Sequence, residues 1–151
     1  MPTASDYDTV ANSKLYVCAN APATYDAAGY AALTWVEVGL ISKLGAVLGR
    51  NYNTTSMEFI NDALIKEKKS NYKLDPADME VAWNESDAGQ IIVAAAANNY
   101  TIPSFKVVKQ NTTSIRYFPA QVKNFVESLG GAQDAVKGSF TLLRQRDTVT
   151  V

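Results

Sequence analysis

The sequence predicts a mainly β (α+β) fold: a β-sandwich or small barrel with one flanking α-helix, a long loop and terminal arms. Short runs rich in β-branched and aromatic residues recur along the chain, several of them alternating apolar with polar positions. Only one segment, 87–98, spaces its apolar residues as a helix does. With 151 residues, 47% of them hydrophobic, the chain can build one ordinary core, and residues 13–151 read as a single domain.

Residues 1–12 are small and polar, without periodicity, and read as a flexible arm. A first strand is expected over 14–19. The run 33–38, Leu-Thr-Trp-Val-Glu-Val, is a second, bent at Gly39 and continued over 40–44 until Gly45 and Gly49 loosen the pattern. From 50 to 62 the composition turns to Asn, Thr and Ser, interrupted by Met57, Phe59 and Ile60. An extended loop over 45–62, or an extended hairpin, is expected there. A floppy connection has little use for three large apolar side chains, so this one should pack on something. Residues 64–70 read as a strand ending in the solvated run Lys66-Glu67-Lys68-Lys69, and Asp75-Pro76 marks a turn. Met79, Val81 and Trp83 then alternate with Glu80 and Ala82 as a half-buried strand.

In the helix, Asp87 can cap the start, Gln90 stands in the capping-box position and Asn98-Asn99 end it. Ala88, Ile91, Ile92 and Ala95 share one face, with Ile91 and Ile92 as candidates for the core, yet Val93, Ala94 and Ala97 make the opposite side apolar too. A helix lacking a polar face is buried on more than one side. A neighbouring subunit is the expected cover, with Ala94 and Ala97 as candidate interface residues. Strands follow at 105–109, 114–118, 121–128 and 135–144, and Gly130-Gly131 turns the chain before the last. In that strand Val136, Phe140 and Leu142 share one face, and Lys137, Ser139 and Thr141 the other. The tail 146–151 alternates likewise and suits a sheet edge, adding Val149 and Val151 to Met57, Phe59 and Ile60 of the loop as candidate interface residues.

Histidine is absent and cysteine occurs once, at Cys18, which removes the commonest general base and metal ligand and any disulfide within the chain. Cys18 lies in an apolar run and reads as a buried, inert thiol. Gly39, Gly45 and Gly49 have neither Rossmann nor P-loop spacing. Asp75, Asp78, Glu80, Glu85 and Asp87 gather near the helix, but no pair stands out, and a solvated turn plus a helix cap accounts for them. No catalysis, metal or cofactor is therefore expected. Four Asn-x-Ser/Thr triplets, at Asn53, Asn84, Asn99 and Asn111, read as turns, since no secretory signal precedes them. No apolar run approaches the length of a bilayer span, and a soluble, intracellular protein without a membrane partner is expected. The net charge of −1, with Lys and Arg dispersed, gives no general grip on phosphate; DNA, as a partner, would be accommodated and not held.

Three further segments, in order, form a pattern. The first is Thr24-Tyr25 followed by Leu33-Thr34-Trp35-Val36-Glu37-Val38-Gly39-Leu40-Ile41-Ser42-Lys43-Leu44-Gly45. The second is Asp87-Ala88-Gly89-Gln90-Ile91-Ile92-Val93-Ala94-Ala95-Ala96 with Phe105-Lys106-Val107 after it. The third is Tyr117-Phe118-Pro119-Ala120-Gln121-Val122 with Gly130, Asp134 and the closing strand.

In this order the three segments resemble the major tail tube proteins of long, non-contractile-tailed phages. The resemblance implies a β-sandwich with one flanking helix, near the tubes of contractile tails and type VI secretion, assembling as hexameric rings that stack into a conduit for DNA ejection. The implied partners are further copies of the chain, the tape measure protein, other tail proteins and passing double-stranded DNA. The implied location is the virion tail, assembled in the bacterial host cytoplasm. Two alternatives stand beside it. One is a tail terminator or head–tail connector component forming a single ring; the other is a small β-fold ligand-binding module using Trp35, Trp83 and tyrosines.

Overall fold

The computed structural model describes residues 1–151 except Pro2, Ser5 and Asp6. Those three positions of the arm expected over 1–12 lie outside the described residues.

The described residues form ten strands and two helices: β1 (Lys14–Cys18), α1 (Ala27–Ala31), β2 (Val36–Val38), β3 (Ile41–Lys43), β4 (Asn51–Phe59), β5 (Asp62–Lys73), β6 (Ala77–Ala82), α2 (Ala88–Ala97), β7 (Ser104–Val108), β8 (Ile115–Ser128), β9 (Lys137–Arg144) and β10 (Val149–Thr150). Every pairing is antiparallel. The main sheet runs β2-β1-β7-β8-β9-β6-β3, with β10 added to β8, and β4–β5 stand apart as a two-stranded ribbon. The main sheet does not close into a barrel. It folds over on itself as a β-sandwich flanked by α2.

The fold-over happens within β8. Sequence reading divides this stretch at Pro119-Ala120 into two strands, but it is one strand of 14 residues that changes partner. Up to Pro119 it pairs with β7, and from Ala120 onward with β9. Proline has no N–H to give a ladder, so the changeover is where a strand tolerates it. The Pro119 carbonyl is still used, accepting from the Gln145 N–H at 2.9 Å.

Both halves of the sandwich contribute to one core. Leu15, Val17, Val38, Phe105, Val107 and Phe118 come from the first, and Ala77, Met79, Val81, Val122, Phe140 and Leu142 from the second. Stacked rings tie neighbouring strands, Phe105 on Phe118 at 5.8 Å and Phe125 on Phe140 at 5.7 Å between centroids. The alternation read in the strand of Met79 and Val81, and in that of Phe140 and Leu142, corresponds to buried inner faces.

Several expectations need correction. A second helix exists: Asp26 caps α1 by accepting from the Gly29 N–H at 2.7 Å, and the helix delivers Tyr30 into a stack with Tyr117 at 5.3 Å. Five residues are too few to show a helical period. The strand expected over 33–38 shrinks to 36–38: the Leu33 N–H is used in a turn onto the Tyr30 carbonyl at 3.1 Å, and the Trp35 indole N–H reaches the same carbonyl at 3.0 Å. The bend after β2 takes its left-handed backbone at Leu40 (φ 58°), one residue beyond the expected Gly39. Of the four Asn-x-Ser/Thr triplets, Asn84, Asn99 and Asn111 do make turns, each side-chain oxygen accepting a backbone N–H two residues on. Asn53 instead lies in β4.

α2 also faces differently. Asp87 caps it, accepting from the Gln90 N–H at 3.0 Å, but the buried face is Gly89, Gln90, Val93 and Ala96. Ile91 is 49% exposed, Ala88 and Ala95 are exposed, and Ile92 is partly buried against the core. Periodicity locates the helix but not its inward face, because in an all-apolar helix the pattern carries no phase information. The face is set by the polar residue: Gln90 alone can satisfy backbone groups buried beneath it.

Candidate assembly surfaces

The β4–β5 ribbon is the most unusual surface of the molecule. Its register runs from Asn51 opposite Lys73 to Phe59 opposite Asp62, so Ile60-Asn61 form a two-residue turn. Within the 45–62 segment expected as a loop or extended hairpin, residues 51–59 are therefore one continuous strand, with register shifts between Tyr52 and Thr54 and between Met57 and Phe59. Apart from the half-buried Tyr52, every residue of both strands is exposed. Such a two-stranded ribbon is marginal in water unless a further surface covers it. It nevertheless carries Met57, Phe59, Ile60, Leu64 and Ile65 near its tip, all at least 49% exposed. On one face Thr55, Met57 and Phe59 line a shallow hollow with Lys66 and Lys68. The lysine stems extend the apolar floor while their ammonium groups stay in water.

A second surface runs along the outward side of α2. Ile91, Ile92 and Ala95 line a groove completed by Ala19, Thr101 and Pro103. Of the candidate interface residues on this helix, Ala94 is half-buried, and Ala97 packs against the domain's own core. At the end of the chain, Val149 pairs with Tyr117 of β8, and Val151 exchanges both backbone hydrogen bonds with Ile115. The structure thus brings Met57, Phe59 and Ile60 together and leaves Ala94, Ala97, Val149 and Val151 elsewhere. Leu64, Ile65 and Ile91, which sequence reading did not select, are exposed and apolar. The signal for the first two was present, since both follow Ile60 in a run whose only charge before Lys66 is Asp62.

A third surface is polar. On the outer side of β3, β6, β8 and β9, Thr141 donates to Asp78 at 2.8 Å and Ser42 to Glu80 at 3.1 Å. Lys137 lies 3.8 Å from the same Glu80 carboxylate, and Asn124 accepts from the Thr141 N–H at 3.1 Å. The side chains there are matched to one another. Among the described residues no group of His, Cys, Asp and Glu could hold a metal ion.

At the foot of the ribbon Arg50 meets Asp147. The Arg50 guanidinium holds the Asp147 carboxyl below its ordinary range, and the Tyr72 hydroxyl adds to the effect. A lowered folded-state value means that this contribution is present above the ordinary carboxylate range. It is lost only as pH falls through the lowered one.

The chain is similar in fold to several solved structures. It aligns over 99% of its length, and 99% of the other chain, with an extracellular contractile injection system described as the PVC sheath/tube terminator in its extended state, at a TM-score of 0.68 and 9% identity. A chain of the PVC sheath–tube complex in its extended state aligns over 98% of this chain and 93% of that one, with a TM-score of 0.65 and 8% identity. The SPP1 tail tube aligns over 91% of this chain and 75% of that one, at 0.61 and 16% identity. The chain shares its fold with these three structures. No protein-family model matches the sequence, and no curated protein matches it. The shared fold is thus carried by packing and topology, with little of the sequence held in common.

Proposed function

We propose that the chain is a structural subunit of the tail tube of a phage-like particle, polymerising as stacked hexameric rings into a conduit for DNA ejection and catalysing nothing. The observation that carries this reading is the β4–β5 ribbon, which exposes both faces and an apolar tip that its own domain leaves uncovered. A second copy of the chain supplies the missing cover, and the unpaired outer edges of β4 and β5 offer it backbone donors and acceptors. The tape measure protein and other tail proteins are the remaining partners. The virion tail is the location, after assembly in the bacterial host cytoplasm. Electron microscopy of the purified protein tests the proposal: tubes are expected. Monomers alone at high concentration, with and without salt, would sink it.

One observation favours a second reading. The terminator structure aligns with a higher TM-score than the SPP1 tube, 0.68 against 0.61. Isolated rings that never elongate would assign the chain to that role.

The conduit reading also predicts negligible affinity for DNA. The densest cationic group is Lys66, Lys68 and Lys69. Lys66 and Lys68 share a face of the ribbon, while Lys69 lies over the Tyr52 ring at 4.8 Å. Even all three neutralising phosphate would give a salt slope of only roughly −3. A gel shift with random-sequence duplex should show no complex at physiological salt for the unassembled subunit or the tube. Tight, salt-sensitive binding by the tube would point to a DNA-packaging role instead.

A further inference from the structure

The feet of the β4–β5 ribbon are fastened by residues from the far end of the chain. Arg144, only 6% exposed, donates from Nη2 to the Gly49 carbonyl at 3.0 Å and from Nη1 to Thr148 Oγ1 at 3.1 Å. The Thr148 hydroxyl passes its own hydrogen to the Val47 carbonyl at 2.5 Å. Next door, Arg50 donates from Nε to Asp147 Oδ1 at 3.0 Å and from Nη2 to Oδ2 at 2.5 Å, a two-pronged pair. Tyr72, on the returning strand, donates to the same Oδ2 at 3.4 Å and lays its ring 4.3 Å from the Arg50 guanidinium. Tyr52, on the outgoing strand, accepts from Arg50 Nη1 at 3.1 Å and touches the Tyr72 ring. Outgoing and returning strands are thus tied to residues 144–148, which are themselves anchored through β9 and β10 to the main sheet.

Geometry makes this attachment matter. Nine residues of strand span about 30 Å, so a tilt of about 10° at the foot moves the tip by about 5 Å. Between Tyr52 and Tyr72 every ribbon residue, 53–71, is exposed, so burial against the main sheet does little to correct such a tilt. A partly exposed ion pair adds little to folding stability, but a two-pronged one stacked on a ring fixes an angle well. Any freedom of angle must be given up when the ribbon meets its partner, which weakens association.

We propose that residues 144–148 are a latch that sets the direction of the ribbon, with Asp147, Arg50 and Tyr72 as its positioning residues, and that this direction limits assembly. The proposal rests on the reading of the ribbon as the assembly arm.

Asp147→Asn tests it. The change is nearly isosteric and removes the carboxylate that takes both prongs of Arg50. Spin labels at Ser56→Cys on the ribbon and Lys123→Cys on the main sheet report the direction of the ribbon in the unassembled subunit. The latched protein should give one narrow distance distribution, and Asp147→Asn one roughly twice as wide. The urea midpoint should stay unchanged. Polymerisation followed by light scattering should slow by roughly five-fold or more. The reversed pair, Arg50→Asp with Asp147→Arg, should narrow the distribution again and recover most of the rate, which a merely structural role would not do. A distribution in Asp147→Asn as narrow as in the native protein overturns the latch, whatever polymerisation does. A broadened distribution with an unchanged rate overturns the claim that direction limits assembly. A native protein that never polymerises overturns the assembly reading itself, while the distance measurement still reads the latch.

Discussion

Replacing Gln90 with leucine is expected to destabilise the subunit by about 3–5 kcal/mol, although leucine is as good a helix former and nearly the same size. Gln90 is fully buried and spends its whole amide on three backbone groups. Its Nε2 donates to the carbonyls of Gly39 at 2.9 Å and Ala82 at 3.0 Å, and its Oε1 accepts from the Asn84 N–H at 2.9 Å. Each backbone group left dry and unpaired costs about 1–3 kcal/mol, and three of them outweigh any gain from burying leucine. The measurement is the urea midpoint at constant m-value. A loss below about 1 kcal/mol would mean that these groups find other partners and that the glutamine is dispensable.

Gly89→Ala should cost about 2–4 kcal/mol, against a helix-propensity gain of up to about 1 kcal/mol. A Cβ at this position would sit 2.3 Å from the Glu37 carbonyl oxygen and 2.7 Å from the Val38 Cα. Those atoms are backbone of β2, so no side chain can swing away, and either α2 or the strand must shift. If the variant proves as stable as the native protein, or more so, the helix start does not rest on β2 as described. Gly89→Ala and Gln90→Leu should not be additive, because both disturb one junction.

Together these two residues explain the stretch Asp87-Ala88-Gly89-Gln90 physically. Asp87 caps the helix and also accepts from the Gly39 N–H at 3.3 Å, Gly89 lets the helix sit on β2, and Gln90 ties β2, β6 and the helix together. Ala88 faces outward. A capping-box rule sees only the three-residue spacing from Asp87 to Gln90. The partner that matters, Gly39, is 51 residues away in sequence.

The same distinction runs through the rest of the chain. β6 and β9 were legible because one face of each is buried and the other wet, which writes an alternation into the sequence. β4 and most of β5 carry no such mark, since a strand exposed on both faces has no reason to alternate. β8 reads as two strands because Pro119 breaks the ladder of most central strands, and only the change of partner accommodates it here. The tail was read as suited to a sheet edge, and its pairing with β8 is simply an intrachain one. Among the candidate interface residues, Met57, Phe59 and Ile60 stood out because large apolar side chains in a polar run are costly without cover. Ala97 did not reveal its inward position, because alanine fits either side of a helix.

β8 also has a mechanical meaning. It is one covalent strand held by β7 over its first third and by β9 over the remainder. Force applied along it therefore loads the hydrogen-bonded rungs of both halves in shear, many at once, where two separate strands would let the halves peel apart rung by rung. Pro119, whose ring restricts the backbone at the changeover, stiffens the point where the load passes from one half to the other. Stretching the molecule by its sheet ends should accordingly rupture the two halves in a single event.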